Sequence, residues 1–268
     1  MLNETVKHYD MEVSFFQAFL DPYMKYTSGL FEAESDELSV ACQRMLDAII
    51  NCGNIKPGAA VLEIGPGWGA LLKRVKERQL ICDYTGVSPS SVQNQFIQSF
   101  SGEREQIFTS TFEKFEYSGR ALQSIVLIGS FCHLQNKEQQ LKRMAGLLAN
   151  DGVIVIEDTF FVTQEKYQSQ AEVDATRFVQ QKIFGFAEIL SLSEQMEQIS
   201  KAGLKIASML EHTNSYKYTI GHWIKNLKRI DLQRYPDAKD FIKYMMVAQR
   251  GWNHTTQNQL LVLKKIAA

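Results

Sequence analysis

The sequence predicts an α/β fold built on a mostly parallel sheet. Three observations carry that prediction. The runs VLEI at 61–64, SIVLI at 124–128 and GVIVI at 152–156 have the length and β-branched content of buried strands. Segments with helical spacing of apolar side chains lie between them. A glycine-rich loop, GPGWG at 65–69, joins the first run to one of those helices. Strands that alternate with helices form parallel sheets covered on both faces.

Taken in order, residues 35–52 predict a helix with Ser35 as its N-cap. Lys56-Pro57-Gly58 is a turn. A strand over 60–64, a helix over 70–77, a strand over 83–87 and a helix over 90–100 follow. Next come a strand at 124–128, a helix at 137–148 and a strand at 152–156. Residues 164–200 interrupt the alternation and read as a helix-rich insertion over the carboxyl edge of the sheet. An amphipathic helix pair is expected around 220–250. Gln259–Leu263 (QLLVL) reads as a strand added at an edge.

A length of 268 residues suits one domain, 1–268, with a sizeable core. With 45% apolar and 22% charged residues, the composition is that of a soluble globular chain. A net charge of −1 lacks the basic excess of a nucleic-acid binder. The apolar runs fall short of a membrane span, so no stable membrane insertion is expected. The opening MLNETVKHYDMEV has no basic-then-apolar leader pattern, which predicts a cytoplasmic protein. Cys42, Cys52, Cys82 and Cys132 are scattered without CxxC or Cys/His spacing, so the thiols are expected reduced and no metal site is expected.

The glycine loop sits where an open α/β sheet holds a nucleotide-like ligand, at the carboxyl end of a strand. Its pattern, Glu63 then Gly65, Gly67 and Gly69, departs from the dinucleotide fingerprint, whose third glycine falls later. It lacks the Lys-Ser/Thr of a phosphate loop. The end of the second strand, TGVSPSS, offers no acid for a ribose. A carboxylate ahead of the glycines suits a cofactor with a cationic amine, such as S-adenosylmethionine.

The sequence resembles a known family at this point. His8-Tyr9-Asp10 and FFQAFLDPYMKYTSGLFE, within residues 8–32, are similar to the N-terminal signature of the cyclopropane fatty acid synthases and related S-adenosylmethionine-dependent methyltransferases, including the mycolic acid cyclopropane synthases. The likeness runs on through IKPGAAVLEIGPGWG, TGVSPSSVQ, IGSFCH, DGVIVIEDT, LSLSEQMEQISKAGL and SYKYTIGHW to QLLVLKK. It implies a class I methyltransferase (Rossmann-like) α/β fold: a seven-stranded, mostly parallel sheet with a helical lid insertion at about 160–200. Residues 1–34 would cover the cofactor. The resemblance places Tyr26 and Thr27 at the methionine end of S-adenosylmethionine, and Glu63, Gly65, Gly67 and Gly69 around the loop. Ser88 and Gln93 fall at the ribose. Phe112 and Glu113 fall at the adenine, with Ile128 at the end of its strand. For Phe112, core packing is the competing reading.

The resemblance also implies a bicarbonate base held by a cysteine backbone, a glutamate, a histidine and a tyrosine. This sequence departs from it. Ser28 replaces the cysteine, Cys132 stands at the glutamate position and Glu157 at the histidine position, while Tyr216 falls at the tyrosine. One reading makes Glu157 a built-in base oriented by Tyr216; the other makes Glu157 and Asp158 caps for local amides. Cys132 reads as a small, soft wall of the pocket, not a nucleophile. His133 reads as a second base or, in preference, a structural element, and His222 as solvent-facing.

Residues 160–190, with Ile183, Phe184, Phe186 and Ile189 around Gly185, predict an apolar, aromatic-lined acceptor pocket. The mixed-charge stretch 225–243 reads as a solvated face, with an acidic carrier protein or lipid surface as the competing reading. The function expected is methyl transfer from S-adenosylmethionine to a hydrophobic small molecule of specialised metabolism. Methylation or cyclopropanation of an alkene in a fatty acyl chain is the alternative. A cofactor-binding member without methyl transfer, acting as a rearrangement catalyst or regulator, is the third.

Overall fold

A computed structural model describes residues 12–163, 173–174, 177, 186–236, 238–251 and 254–266. The motif His8–Asp10 and the lid residues Ile183, Phe184 and Gly185 lie outside the described residues. The chain begins with a short helix α1 (Val13–Gln17) and a longer α2 (Leu38–Cys52). Then follow β1 (Ala60–Ile64), α3 (Ala70–Glu77), β2 (Asp83–Ser88), α4 (Ser91–Gln98), β3 (Glu105–Thr109) and β4 (Leu122–Ile128). After a single 3-10 turn at Phe131–His133 come α5 (Lys137–Leu147) and β5 (Leu148–Phe161). The remainder is α6 (Leu192–Lys201), β6 (Leu204–Glu211), α7 (Thr213–Leu227), α8 (Ala238–Gly251) and β7 (Thr256–Lys265).

The seven strands form one sheet in the order β3-β2-β1-β4-β5-β7-β6. Neighbours from β3 to β5 run parallel, and β7 pairs antiparallel with both β5 and β6. The expected seven-stranded α/β sheet is present. QLLVL, expected at an edge, instead lies inside the sheet between β5 and β6. Its side chains are buried, as a strand with neighbours on both sides requires.

Two strands escaped the sequence reading. β3 (EQIFT) and β6 (LKIASMLE) are the two edges and are largely exposed. Neither therefore needs the apolar run that marked the central strands. Helix α2 also starts later than expected. Ser35 does not cap it; Asp36 accepts from the backbone N–H of Glu32 and Ala33 and pairs with Arg44, closing a turn before Leu38.

The two-residue period of the strands sorts their side chains into two cores. Leu62, Ile125, Ile154 and Ile156 face one side with Leu141 and Met144 of α5 and Ile199 of α6. Val61, Val126, Val153 and Val155 face the other with Met45, Leu46 and Ile49 of α2 and Leu71, Leu72 and Val75 of α3. Helix α6 thus covers the sheet beside α5 and leads into β6. Within the insertion expected over the carboxyl edge at 164–200, this helix packs beside α5 instead, and most of 164–185 lies outside the described residues.

A third cluster is aromatic. Phe15, Phe16 and Phe19 pack with Trp68, Trp223 and Phe241, fastening the N-terminal segment onto α7 and α8. The start of α6 carries a full capping box: Ser191 Oγ accepts from the Glu194 N–H, and the Glu194 carboxylate accepts from the Ser191 N–H. Ser191→Ala is expected to cost about 1 kcal/mol, read as a lower urea midpoint at unchanged slope. No loss of stability would mean that the cap is replaced by water.

Candidate active site

The order of the strands reverses direction between β1 and β4, and their carboxyl ends part there to leave a crevice. A cavity of about 350 Å³ occupies it. The loop after β1 forms its floor, the segment 24–27 one wall, and the ends of β2 and β4 the others. Gly67 has φ +55°, and no atom lies within 4 Å of where a Cβ would stand. Its bare backbone is an open face of the cavity. Gly69, φ +75°, serves differently. It is the left-handed N-cap of α3, where a Cβ would meet Phe100 at 2.7 Å and Ile97 at 3.1 Å.

The residues expected at the cofactor fall around this space, with one departure. Tyr26 and Thr27 line the cavity, as do Glu63, Gly65 and Gly67. So do Ser88 and Gln93, Phe112 and Glu113, and Ile128. Gly69 is not among the lining residues; its glycine is required by the packing of α3 on α4. Phe112 does both things proposed for it: it belongs to the core and reaches the cavity, with the Arg143 guanidinium 4.5 Å over its ring. Gln93 is fixed at the start of α4, where its N–H donates to Ser90 Oγ at 3.3 Å.

Glu63 is fully buried and accepts a hydrogen bond from the Tyr84 hydroxyl. Loss of solvent pushes its carboxyl up to about 7, against the opposing pull of Tyr84 and Lys25. Below about pH 7 the group is therefore neutral, and above it an anion facing the cavity. A cationic ligand binds the anion better. Affinity for S-adenosylmethionine is expected to rise as the pH passes upward through about 7, and Glu63→Gln to flatten that rise. Calorimetry across the range checks this; an affinity independent of pH in the parent protein would remove Glu63 from the binding site.

Of the four residues expected in catalysis, His133 lines the cavity, and Glu157, Tyr216 and Cys132 do not. His133 Nδ1 donates to the Phe186 carbonyl at 2.7 Å. Burial lowers its basicity and favours the neutral ring, so the basic nitrogen is Nε2. Cys132 is set back in the 3-10 turn. Its N–H donates to Asp158 at 2.9 Å, and burial raises its thiol far above the usual range, which leaves it unreactive. Asp158 also accepts from the Thr159 N–H, so it is the acid that binds local amides. Tyr216 sits on α7 against Trp223. Burial above all, then Tyr244 and Glu157, pushes its phenol well up.

Glu157 lies within β5 rather than beyond it, paired with Ile128 and Leu260. By the period of the strand its side chain shares a face with Val153 and Val155. Its Oε2 is 3.3 Å from the Lys25 ammonium, and both side chains are only 1% exposed. Its Oε1 accepts from Asn258 Nδ2 at 2.9 Å and lies 3.9 Å from His212 Nε2. Lys25 donates further to Thr27 Oγ1 and to the Ser28 carbonyl at 2.7 Å. Its own N–H is held by Asp21 at 2.8 Å.

Lys25 is the main residue that sequence reasoning missed. The signal was present: a lone lysine between Met24 and Tyr26 in a stretch otherwise read as cofactor cover. Trp68 was missed too. It lines the cavity, is 1% exposed, and its indole N–H has no hydrogen-bond partner among the described residues. A buried donor of this kind suits a ligand acceptor. Helix α7 holds the cover in place: Ser215 Oγ accepts from Phe31 N–H, Thr219 Oγ1 from Gly29 N–H, and Asn226 donates to the Phe19 carbonyl. His222, expected in solvent, stacks on Phe31.

Comparison with known proteins gives this geometry a setting. The chain is 27% identical over 234 residues to cyclopropane mycolic acid synthase 3 of Mycobacterium tuberculosis, covering 82% of this chain and 80% of that one. Its fold superposes on the cyclopropane synthase MmaA2 of M. tuberculosis with a TM-score of 0.89 at 22% identity, over 98% of both chains. It also superposes on coclaurine N-methyltransferase bound to N-methylheliamine and SAH, with a TM-score of 0.81 at 19% identity, over 98% of this chain and 82% of the other. Among the described residues no helix is long and apolar enough to cross a membrane. The profile of the mycolic acid cyclopropane synthetase family matches residues 1–258, and the chain belongs to that family.

Proposed function

We propose that the protein is an S-adenosylmethionine-dependent enzyme that methylates an alkene in a fatty acyl chain, as the cyclopropane synthases of its family do. The cofactor is S-adenosylmethionine. The cavity suits it: Gly67 leaves bare backbone, Glu63 offers a carboxylate for a cation, and Trp68 offers an unmet donor. When bound, the cofactor supplies an electrophilic methyl group on a good leaving group.

What this chain supplies is position and dryness. Tyr26 and Thr27 lie at the wall, backed by the aromatic cluster that shuts out water. Met24, Trp68, Ile128, Leu134 and Phe186 give the cavity an apolar lining suited to an acyl chain. Methylating an alkene leaves a carbocation, and a proton must then depart. The observation that carries the reading is the buried Glu157 carboxylate, outside the cavity and paired with the Lys25 that lines it.

Methylation of a hydrophobic small molecule at carbon, nitrogen or oxygen is the second reading. It is favoured by the placement of Cys132, which stands outside the cavity with an unreactive thiol. It thereby withholds the acidic side chain that the resemblance to the synthases leads one to expect. The test is incubation with methyl-labelled S-adenosylmethionine and cis-unsaturated acyl chains, offered as free acid, thioester and phospholipid vesicle. Mass spectrometry is expected to find acyl chains heavier by CH2. Label appearing only in a panel of aromatic amines and phenols would favour the second reading. Binding of the cofactor with no transfer to any acceptor would favour a non-methylating member.

A further inference from the structure

Release of the spent cofactor is where the structure adds to that reading, on which this inference rests. Phe186 is the most exposed aromatic residue lining the cavity, at 37% against 1% for Trp68 and 3% for Phe112. It therefore stands where the cavity meets the surface. Its place is set from the turn after β4. His133 Nδ1 donates to the Phe186 carbonyl at 2.7 Å, and the Glu188 N–H donates to the Cys132 carbonyl at 2.8 Å. Lys137, at the start of α5, adds a third tie. Its ammonium lies 2.8 Å from Glu188 Oε2 and 3.0 Å from the Leu134 carbonyl.

These ties fall at the end of the cavity that the family resemblance gives to adenine. Gln135, just beyond His133 and Leu134, donates its N–H to the Glu113 carboxylate at 3.3 Å. Leu134 and Phe112 share one core cluster, and both line the cavity with Glu113. We propose that Phe186–Glu188 is a latch across the adenine end of the cofactor site, pinned by His133 and Lys137, and that its opening sets the rate at which S-adenosylhomocysteine leaves. His133 is then a positioning residue that acts through Phe186, not the base of the reaction.

The ties have the strength that a latch needs. Glu188 is 45% exposed, so water competes for its carboxylate and the pair can part. Lys137 is 2% exposed, with the Phe131 ring 5.8 Å from its ammonium. Parting from Glu188 leaves that buried ammonium short of an acceptor, which draws the latch back. Opening thus costs a few hydrogen bonds at the surface rather than unfolding of the core, the range in which local openings occur. Motions of this kind often govern how fast a product departs.

Trp68 lines the cavity, so its fluorescence reports S-adenosylhomocysteine there, and stopped-flow displacement gives the release rate. His133→Leu removes the donor, Glu188→Gln the charge and Phe186→Ala the ring. Each is expected to release S-adenosylhomocysteine about tenfold faster than the parent. The amide of His133→Asn can donate from near the place of Nδ1, and release is expected within about threefold of the parent. Adding His133→Leu to Phe186→Ala is expected to change the rate by less than about twofold, because the ring it positions is already gone.

Release at the parent rate in both His133→Leu and Phe186→Ala would overturn the latch. So would full additivity of those two changes, which would make them act separately. Release from His133→Asn as fast as from His133→Leu would overturn the role given to the Nδ1 bond. A parent protein that does not bind S-adenosylhomocysteine would instead overturn the cofactor reading itself, a failure seen before any variant is made.

Discussion

Glu157→Gln is expected to destabilise the protein by about 3–5 kcal/mol. The amide keeps the size of the side chain, yet it leaves the Lys25 ammonium, 1% exposed, without an anion. Removing one partner of a buried pair strands the other charge, and that penalty exceeds the worth of the pair itself. Removing both partners together, as in Lys25→Met with Glu157→Leu, is expected to restore most of the loss. Urea unfolding of the two variants beside the parent measures the difference. Equal stability of Glu157→Gln and the parent would mean that water or a neighbouring acid takes over the ammonium. Turnover is expected to fall at least about tenfold in Glu157→Gln, with cofactor affinity near that of the parent in molecules that remain folded.

Gly67→Val is expected to abolish cofactor binding while the fold survives. Nothing lies within 4 Å of the added Cβ, so the side chain meets no protein atom at that point; it stands in the cavity. The φ of +55° adds a strain of about 1–3 kcal/mol for a non-glycine residue. A loss of about 4 kcal/mol in binding corresponds to roughly 1,000-fold in affinity, readily seen by calorimetry with S-adenosylhomocysteine. Gly69→Ala is the contrast. Its Cβ would press on Phe100 at 2.7 Å, so it is expected to lower stability with a smaller effect on binding. Retained affinity in Gly67→Val would mean that the glycine loop faces something other than the cofactor.

The central sheet was legible because its strands are buried on both faces, which forces short apolar runs such as VLEI and GVIVI. Helix α3 was legible to the residue, since Gly69 starts it and its apolar positions repeat at helical spacing. The edges were not. β3 and β6 draw their identity from hydrogen bonds to a neighbour that sequence does not display. The place of β7 was illegible for a related reason: an apolar run announces burial, not which strands flank it.

The site divides in the same way. The glycine loop and its acid are local, so their spacing can be read along the chain as a cradle for a nucleotide-like ligand. Lys25 is not local. Its burial is decided by Glu157, 132 positions away, and nothing around residue 25 announces the partner. Glu157 was singled out from its place after VIVI, yet its environment depends on Lys25 and Asn258 from opposite ends of the described chain.

The antiparallel seat of β7 has a consequence for the order in which the molecule comes together. β7 is the last strand among the described residues, yet it lies between β5 and β6 and brings Asn258 to Glu157 and to Thr213. During synthesis β1 to β5 emerge with β5 still lacking its antiparallel partner. The carboxylate of Glu157 then waits with the Lys25 ammonium at its Oε2 and no donor at its Oε1. Contacts of such long sequence separation form late and slowly. A nascent chain can thus fold its glycine loop early, but the buried cluster of Lys25, Glu157 and Asn258 closes only when the ribosome has delivered residue 258.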